Sequence, residues 1–254
     1  MESIINLGEC CDEAKLAQHH DKIIIFAARI SAIYDRAYRF LSAAGSLQGD
    51  MGRQALECTD TGKIERYAMR IAKREFAPKR RQGRETVRFL TGITPDGVVF
   101  YKDTVAAYEK VFVIEDEFGL SRLLLGKIKS YALSTGYDVI GCYCPMSPTE
   151  KLEHLLIPSL SLAFVTSNHY HRLDFKGCRH IHMRRFIDNE ALRQRRQRIV
   201  FNRKAARELI GESVKLLAEA KMNNDILKEL YSASMDFEAV NRKATELIAR
   251  LSKQ

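Results

Sequence analysis

The chain has 254 residues, 46% of them apolar, ample for a buried core and compatible with one large domain or two small ones. Its formal charge of +9 and pI near 9.3 tolerate an anionic partner without naming one. No apolar run reaches membrane-spanning length, Met1-Glu2-Ser3-Ile4-Ile5 lacks the features of a secretory signal, and the six cysteines show no Cys-x-x-Cys spacing. A soluble cytoplasmic protein with reduced thiols and no membrane partner is expected.

From about Asp12 to Phe76 the chain reads as helices, with Asp12 as an N-cap, a turn around Cys58-Thr59-Asp60, and a second helix through Ile64, Ala68, Ile71 and Ala72. Ala77 to Arg84 combines a proline, a basic run and a glycine, and reads as a linker. Gly92 to Gly97 reads as a turn into a short strand, Val98 to Tyr101, followed by a short helix from Thr104 to Lys110. Val111 to Ile114 is an apolar strand that stops at a loop, and a helix restarts at about Ser121, burying Leu123, Leu124 and Ile128 and closing at Gly136. Strand-like Tyr137 to Tyr143, a proline-punctuated connection at Cys144 to Pro148, the run Leu155-Leu156-Ile157 and a strand at Leu162 to Val165 follow. After Asp188 the chain is helical to its end. Alternating helices and apolar strands argue for an α/β fold with a mostly parallel sheet covered on both faces.

The loop at Glu115-Asp116-Glu117-Phe118-Gly119-Leu120-Ser121-Arg122 stands where a strand–loop–helix unit holds phosphate. A working loop reads G-x-x-x-x-G-K-[ST], so that backbone N–H groups close on the phosphates and a lysine counters their charge. Only Gly119 survives of that pattern. Ser121 or Arg122 takes the lysine position, depending on register, and three consecutive acids would repel a polyphosphate. The cofactor-binding candidates are therefore Gly119, Ser121 and Arg122, with ATP the nucleotide to test.

The two helical regions match at a constant spacing. Ile5 pairs with Ile181, Asp12 with Asp188, Leu16 with Leu192 and Ile23 with Ile199, all at 181 − 5 = 176, and the same offset pairs Asp60 with Asp236 and Ile71 with Leu247. The middle slips by one residue. Any two amphipathic helices share a leucine pattern, but shared aspartate caps at both ends point to an internal repeat.

Several stretches in order, Gly92-Ile93-Thr94-Pro95-Asp96-Gly97-Val98-Val99, Tyr108 to Ile114, Gly136-Tyr137-Asp138-Val139, Tyr143 to Pro148, and Leu156-Ile157-Pro158 leading to Val165-Thr166-Ser167, resemble a family of bacterial tandem P-loop ATPase-like proteins. The resemblance implies a P-loop NTPase-like mostly parallel sheet with helical arms before and after it. It divides the chain into a helical arm plus basic linker (1–89), a degenerate P-loop NTPase-like α/β domain (90–185) and a second arm (186–254) repeating 5–76. It also implies ATP binding, whereas this chain departs from the family loop at nearly every defining position and lacks the first P-loop unit. The expectation is a P-loop NTPase-related protein with weak or no hydrolysis, serving as a degenerate nucleotide-binding or structural/regulatory homologue. A homodimer or a related full-length family member is the partner the resemblance suggests.

Strand Leu162 to Val165 ends in Thr166-Ser167-Asn168, where a hydrolytic enzyme needs a carboxylate for Mg²⁺; Asp138 and Asp174 are substitutes without special claim. No catalytic residue emerges. His169, His171, His180 and His182, with Cys178, offer metal-ligand chemistry in no structural zinc spacing, and alternation places His180 and His182 on one strand face. No metal ligand set is assigned. Cys10-Cys11 and Cys142-x-Cys144 read as buried thiols. The basic runs at Lys79 to Arg84 and Arg193 to Arg207 support an alternative function, a basic adaptor for nucleic acid or another anion, although neither run carries aromatic interleaving.

Overall fold

The computed structural model describes residues 4–252. Helices α1 (Glu13–Gln18), α2 (His20–Leu56) and α3 (Thr61–Glu75) come first. They lead into strands β1 (Glu85–Arg88), β2 (Thr91–Thr94) and β3 (Gly97–Phe100), then helix α4 (Lys102–Ala106). Strand β4 (Lys110–Glu115), helix α5 (Ser121–Ser134) and strands β5 (Val139–Cys144), β6 (Ser147–Ile157), β7 (Leu162–Ser167) and β8 (Arg179–His182) complete the mixed centre. Helices α6 (Asn189–Gln194), α7 (Arg196–Ala233) and α8 (Phe237–Leu251) follow. The chain divides into two compact units, Met1–Arg36 with Leu216–Gln254, and Ala37–Lys215, so α2 and α7 each contribute to both.

The larger unit contains a six-stranded sheet in the order β1-β5-β6-β7-β4-β8. β1 with β5, β4 with β7 and β4 with β8 are parallel; β6 is antiparallel to both its neighbours. In β4, Phe112 and Ile114 face a core built with Leu124, Leu125 and Ile128 of α5 and Ile64, Ala68 and Ile71 of α3. Val111 and Val113 face the opposite core, which includes Leu90 and Val105. Successive side chains of a strand point to opposite faces, so burial on both explains the unbroken apolar run Val111-Phe112-Val113-Ile114. β4 is an inner strand, one place from the β8 edge, and its C-terminal end opens into the Glu115–Ser121 loop.

Two expectations need correction here. Gly92 to Thr94 is strand rather than turn: it pairs with Gly97–Val99 in a two-stranded hairpin, and the reversal is confined to Pro95-Asp96. The connection expected from Cys144 to Pro148 is shorter: Cys144 ends β5 and Ser147 begins an eleven-residue antiparallel strand, so only Pro145-Met146 link the two strands of a hairpin. Thr149-Glu150-Lys151 hid that strand, because its outer half is polar and only its inner half, Leu152 to Ile157, is wholly buried. β1 was also unforeseen; all four of its residues are exposed, so it lacks an apolar signature.

The helix boundaries follow local chemistry. Asp12 accepts from the N–H groups of Ala14 and Lys15, Asp60 from Lys63, Asp188 from Glu190 and Ala191, and Asp236 from Ala239, each satisfying donors that a helix start leaves open. α5 ends at Ser134 with Thr135 as its cap, and Gly136 follows at a φ of +92° that suits a residue without a Cβ. Helices α1, α2 and α3 have 6, 37 and 15 residues; α6, α7 and α8 have 6, 38 and 15. Within the larger unit, Asp188 N–H donates to Cys58 O at 2.7 Å and Asp60 N–H to Phe186 O at 2.9 Å. Within the smaller, Asp12 N–H donates to Ser234 O and Asp236 N–H to Cys10 O, both at 2.8 Å.

In the smaller unit α8 buries none of its side chains, whereas α3 in the larger unit buries Ile64, Ala68, Ile71 and Ala72. Among the described residues no helix is long and apolar enough to cross a membrane.

Candidate functional site

A cavity of about 450 Å³ opens in the larger unit where the loop after β4 meets β6, the segment after β7 and α2. Sheets of this type place ligand sites beyond the carboxyl ends of their strands. Gly119 and Arg122, two of the three candidate cofactor-binding residues, line it. Ser121 is fully buried and is not among its lining residues. Gly119 has φ +76°, and a Cβ there would lie 3.1 Å from Lys151 Cε, so the position suits glycine on both counts.

The three acids of the loop do not converge on a common anion site. Glu115 reaches across to β8, its two oxygens lying 2.9 Å from His180 Nδ1 and 2.7 Å from His182 Nδ1. Glu117 pairs with Arg203 at 3.2 Å and stands 3.8 Å from His169 Nε2. Asp116 turns inward: Oδ1 accepts from Phe118 N–H at 3.0 Å and Oδ2 from Ser121 N–H at 2.6 Å. Ser121 is the first residue of α5, so this carboxylate satisfies the kind of helix-start donor that a glycine-rich loop offers to phosphate.

Behind the loop, Thr166 is the penultimate residue of β7. Its hydroxyl donates to Glu153 O at 2.5 Å and lies 3.2 Å from Ser121 Oγ. Asn168 Nδ2 donates to Glu153 Oε1 at 3.3 Å. Asp138 lies elsewhere, held by Arg81 at 2.7 Å and by Arg84 N–H, contacts that lower its pKa.

β6 contributes Lys151 and Glu153 to the cavity lining, residues that sequence reasoning missed, and His154 of the same strand is buried behind them. Thr166 N–H donates to His154 Nδ1 at 3.1 Å, so Nε2 carries the proton and meets Thr91 Oγ1 at 2.9 Å. Burial, with smaller contributions from His171 and Lys151, pushes its pKa well below the usual histidine value. His171 Nε2 lies 2.9 Å from Thr166 O, which only accepts, so Nδ1 is the unprotonated nitrogen. Burial is also the main cause of its lowered pKa. For Lys151 burial pulls the pKa down, but Cys144, Glu153 and Asp116 together pull harder and leave it raised.

Glu153 Oε2, His171 Nδ1, Tyr170 OH and Arg203 Nε are buried and without a hydrogen-bond partner, and all four residues line this cavity. Buried polar groups of this kind carry a cost that a polar guest or ordered water removes. Glu153, His154 and His171 place potential ligand atoms within 4.8 Å of one another. The trio is nevertheless unsuited to a metal, because the Thr166 amide occupies the one lone pair of neutral His154.

Cys142 and Cys144 are buried thiols, as expected; burial raises the pKa of both, Cys142 to about 12, which favours the protonated thiol. The basic run from Arg193 to Arg207 is partly neutralised within the larger unit: Arg195 pairs with Glu57, Arg198 with Asp50 at 2.6 Å and Arg203 with Glu117. Comparison of the chain with protein-family models, with curated proteins and with solved structures found no match in any of the three.

Proposed function

We propose that this chain is a P-loop NTPase-related protein that has exchanged nucleotide hydrolysis for a structural or regulatory role. The observation that carries the proposal is the position of Asp116, whose carboxylate accepts the N–H groups of Phe118 and Ser121 at the start of α5. A γ- or β-phosphate brought to the same donors meets a resident negative charge. It also finds no lysine in the loop and, at the end of β7, the Thr166 hydroxyl in place of a carboxylate. The donor set present does not fit the triphosphate of ATP.

The paired helix lengths, the four aspartate caps and the reciprocal backbone hydrogen bonds support reading the two arms as copies of one unit, the first without an accompanying sheet. Nucleic-acid binding draws less support, since three arginines of the Arg193 to Arg207 run already face acidic partners. Differential scanning fluorimetry with ATP, ADP and GTP, each with and without Mg²⁺, tests the proposal. No change in melting temperature is expected; a Mg²⁺-dependent rise with ATP overturns it.

A further inference from the structure

The second cluster of ligand-type side chains passes the test that the buried trio fails. Cys178 Sγ lies 3.2 Å from His180 Nε2 and 3.7 Å from Asp174 Oδ1, and His180 Nε2 lies 3.9 Å from the same oxygen. Zinc bonds of about 2.0–2.3 Å at tetrahedral angles hold ligand atoms roughly 3.3–3.6 Å apart, so small side-chain shifts close this triangle around one ion.

The protonation pattern is also suitable. His180 Nδ1 lies 2.9 Å from a carboxylate oxygen of Glu115, which accepts, so Nδ1 carries the proton and Nε2 presents its lone pair to Cys178 and Asp174. A histidine oriented by a carboxylate on its far nitrogen is the usual outer-shell arrangement of a metal site. Glu115 is fixed in turn by His182 at its other oxygen. The three candidate ligands reach one place because Gly177, at φ +74°, and the Cys178 N–H to Phe175 O hydrogen bond turn the chain between Asp174 and β8.

We propose that Asp174, Cys178 and His180 bind a zinc ion, with Glu115 as the positioning residue for His180. One thiolate and one carboxylate neutralise the 2+ charge, the thiol releasing its proton to solvent on binding. Asp174 is 89% exposed at its side chain, and a second cavity of about 580 Å³ is bounded by Glu115, Asp174 and His182. Three protein ligands beside open space leave the fourth position to water, the pattern of a reactive rather than a closed structural site. This proposal is independent of any nucleotide chemistry.

The test is titration of the metal-free full-length chain with Zn²⁺ alone, followed by Co²⁺ as a spectroscopic probe. One equivalent of zinc is expected to bind, and cobalt should give a thiolate-to-metal charge-transfer band with the intense visible spectrum of tetrahedral coordination. Cys178→Ser should remove the charge-transfer band, and Glu115→Gln should weaken zinc binding about 10–100-fold while both retain the far-ultraviolet circular dichroism of the parent. Absence of stoichiometric zinc binding overturns the proposal. So does a charge-transfer band that survives in Cys178→Ser, which would place the metal on another thiol.

Discussion

Asp116 lies in the interior at 4% exposure and holds two backbone donors that no other described group is seen to satisfy. Hydrogen bonds to a charged acceptor contribute about 1.5–3 kcal/mol each, and a buried donor left unpaired costs about 1–3 kcal/mol. Asp116→Ala is therefore expected to lower stability by roughly 2–4 kcal/mol, while Asp116→Asn, which keeps one carbonyl acceptor, loses less. Urea unfolding of the three proteins checks the order. The buried histidines add a pH dependence of defined sign. His154 is neutral in the folded chain because its pKa is depressed, whereas in the unfolded chain it protonates near its ordinary value of about 6.5. The unfolded state binds the extra proton, so stability present above that pH is lost as pH falls from about 7 toward 5. His154→Gln keeps an acceptor for Thr166 N–H and a donor for Thr91, and should flatten the melting-temperature profile over that interval; an unchanged slope assigns the dependence to other groups. At this scale the sequence showed a loop with a single glycine, Gly119, and no lysine. It did not disclose where the acids point, since Glu115, Asp116 and Glu117 are consecutive residues with three unrelated sets of partners.

At the scale of elements, legibility followed burial pattern. The helices could be placed because aspartate caps and apolar periodicity mark them independently, and β4 and β7 because burial on both faces gives apolar runs. β6 was only half visible, and its polar half carries Lys151, which helps form the cavity; Glu153 and His154 lie in the buried half. Those two are recognisable as site residues only once the antiparallel hairpin brings them beside Thr166 and His171. The same contrast between pattern and burial separates α3 from α8. Both are amphipathic, yet Ile71 is 4% exposed against the larger unit's core and Ile248 is 63% exposed in the smaller unit. Ile71→Ala should cost about 2–5 kcal/mol as a buried large-to-small change, and Ile248→Ala no more than about 0.5 kcal/mol. Equal losses would show that α8 is buried in solution.

For the whole molecule, the α/β class and the mostly parallel sheet were readable because helix and strand periods alternate through the middle of the chain. The division into compact units was not. Composition separates arms from sheet, whereas the units cut each long helix within its span, and nothing in a continuous helical pattern marks that cut. On the proposed P-loop reading, Asp116 already holds the backbone donors that a phosphate would need, so introducing lysine alone as Ser121→Lys should give no gain in ATP binding by calorimetry. Replacing the entire 115–122 loop with a glycine-rich sequence ending in Lys-Thr should restore it if the surrounding sheet is P-loop-like. The most direct measurement is phosphate release from Mg²⁺–ATP by the purified natural chain. No turnover above the protein-free rate is predicted; Mg²⁺-dependent turnover abolished by Arg122→Ala would contradict the account and assign phosphate chemistry to an arginine-based site.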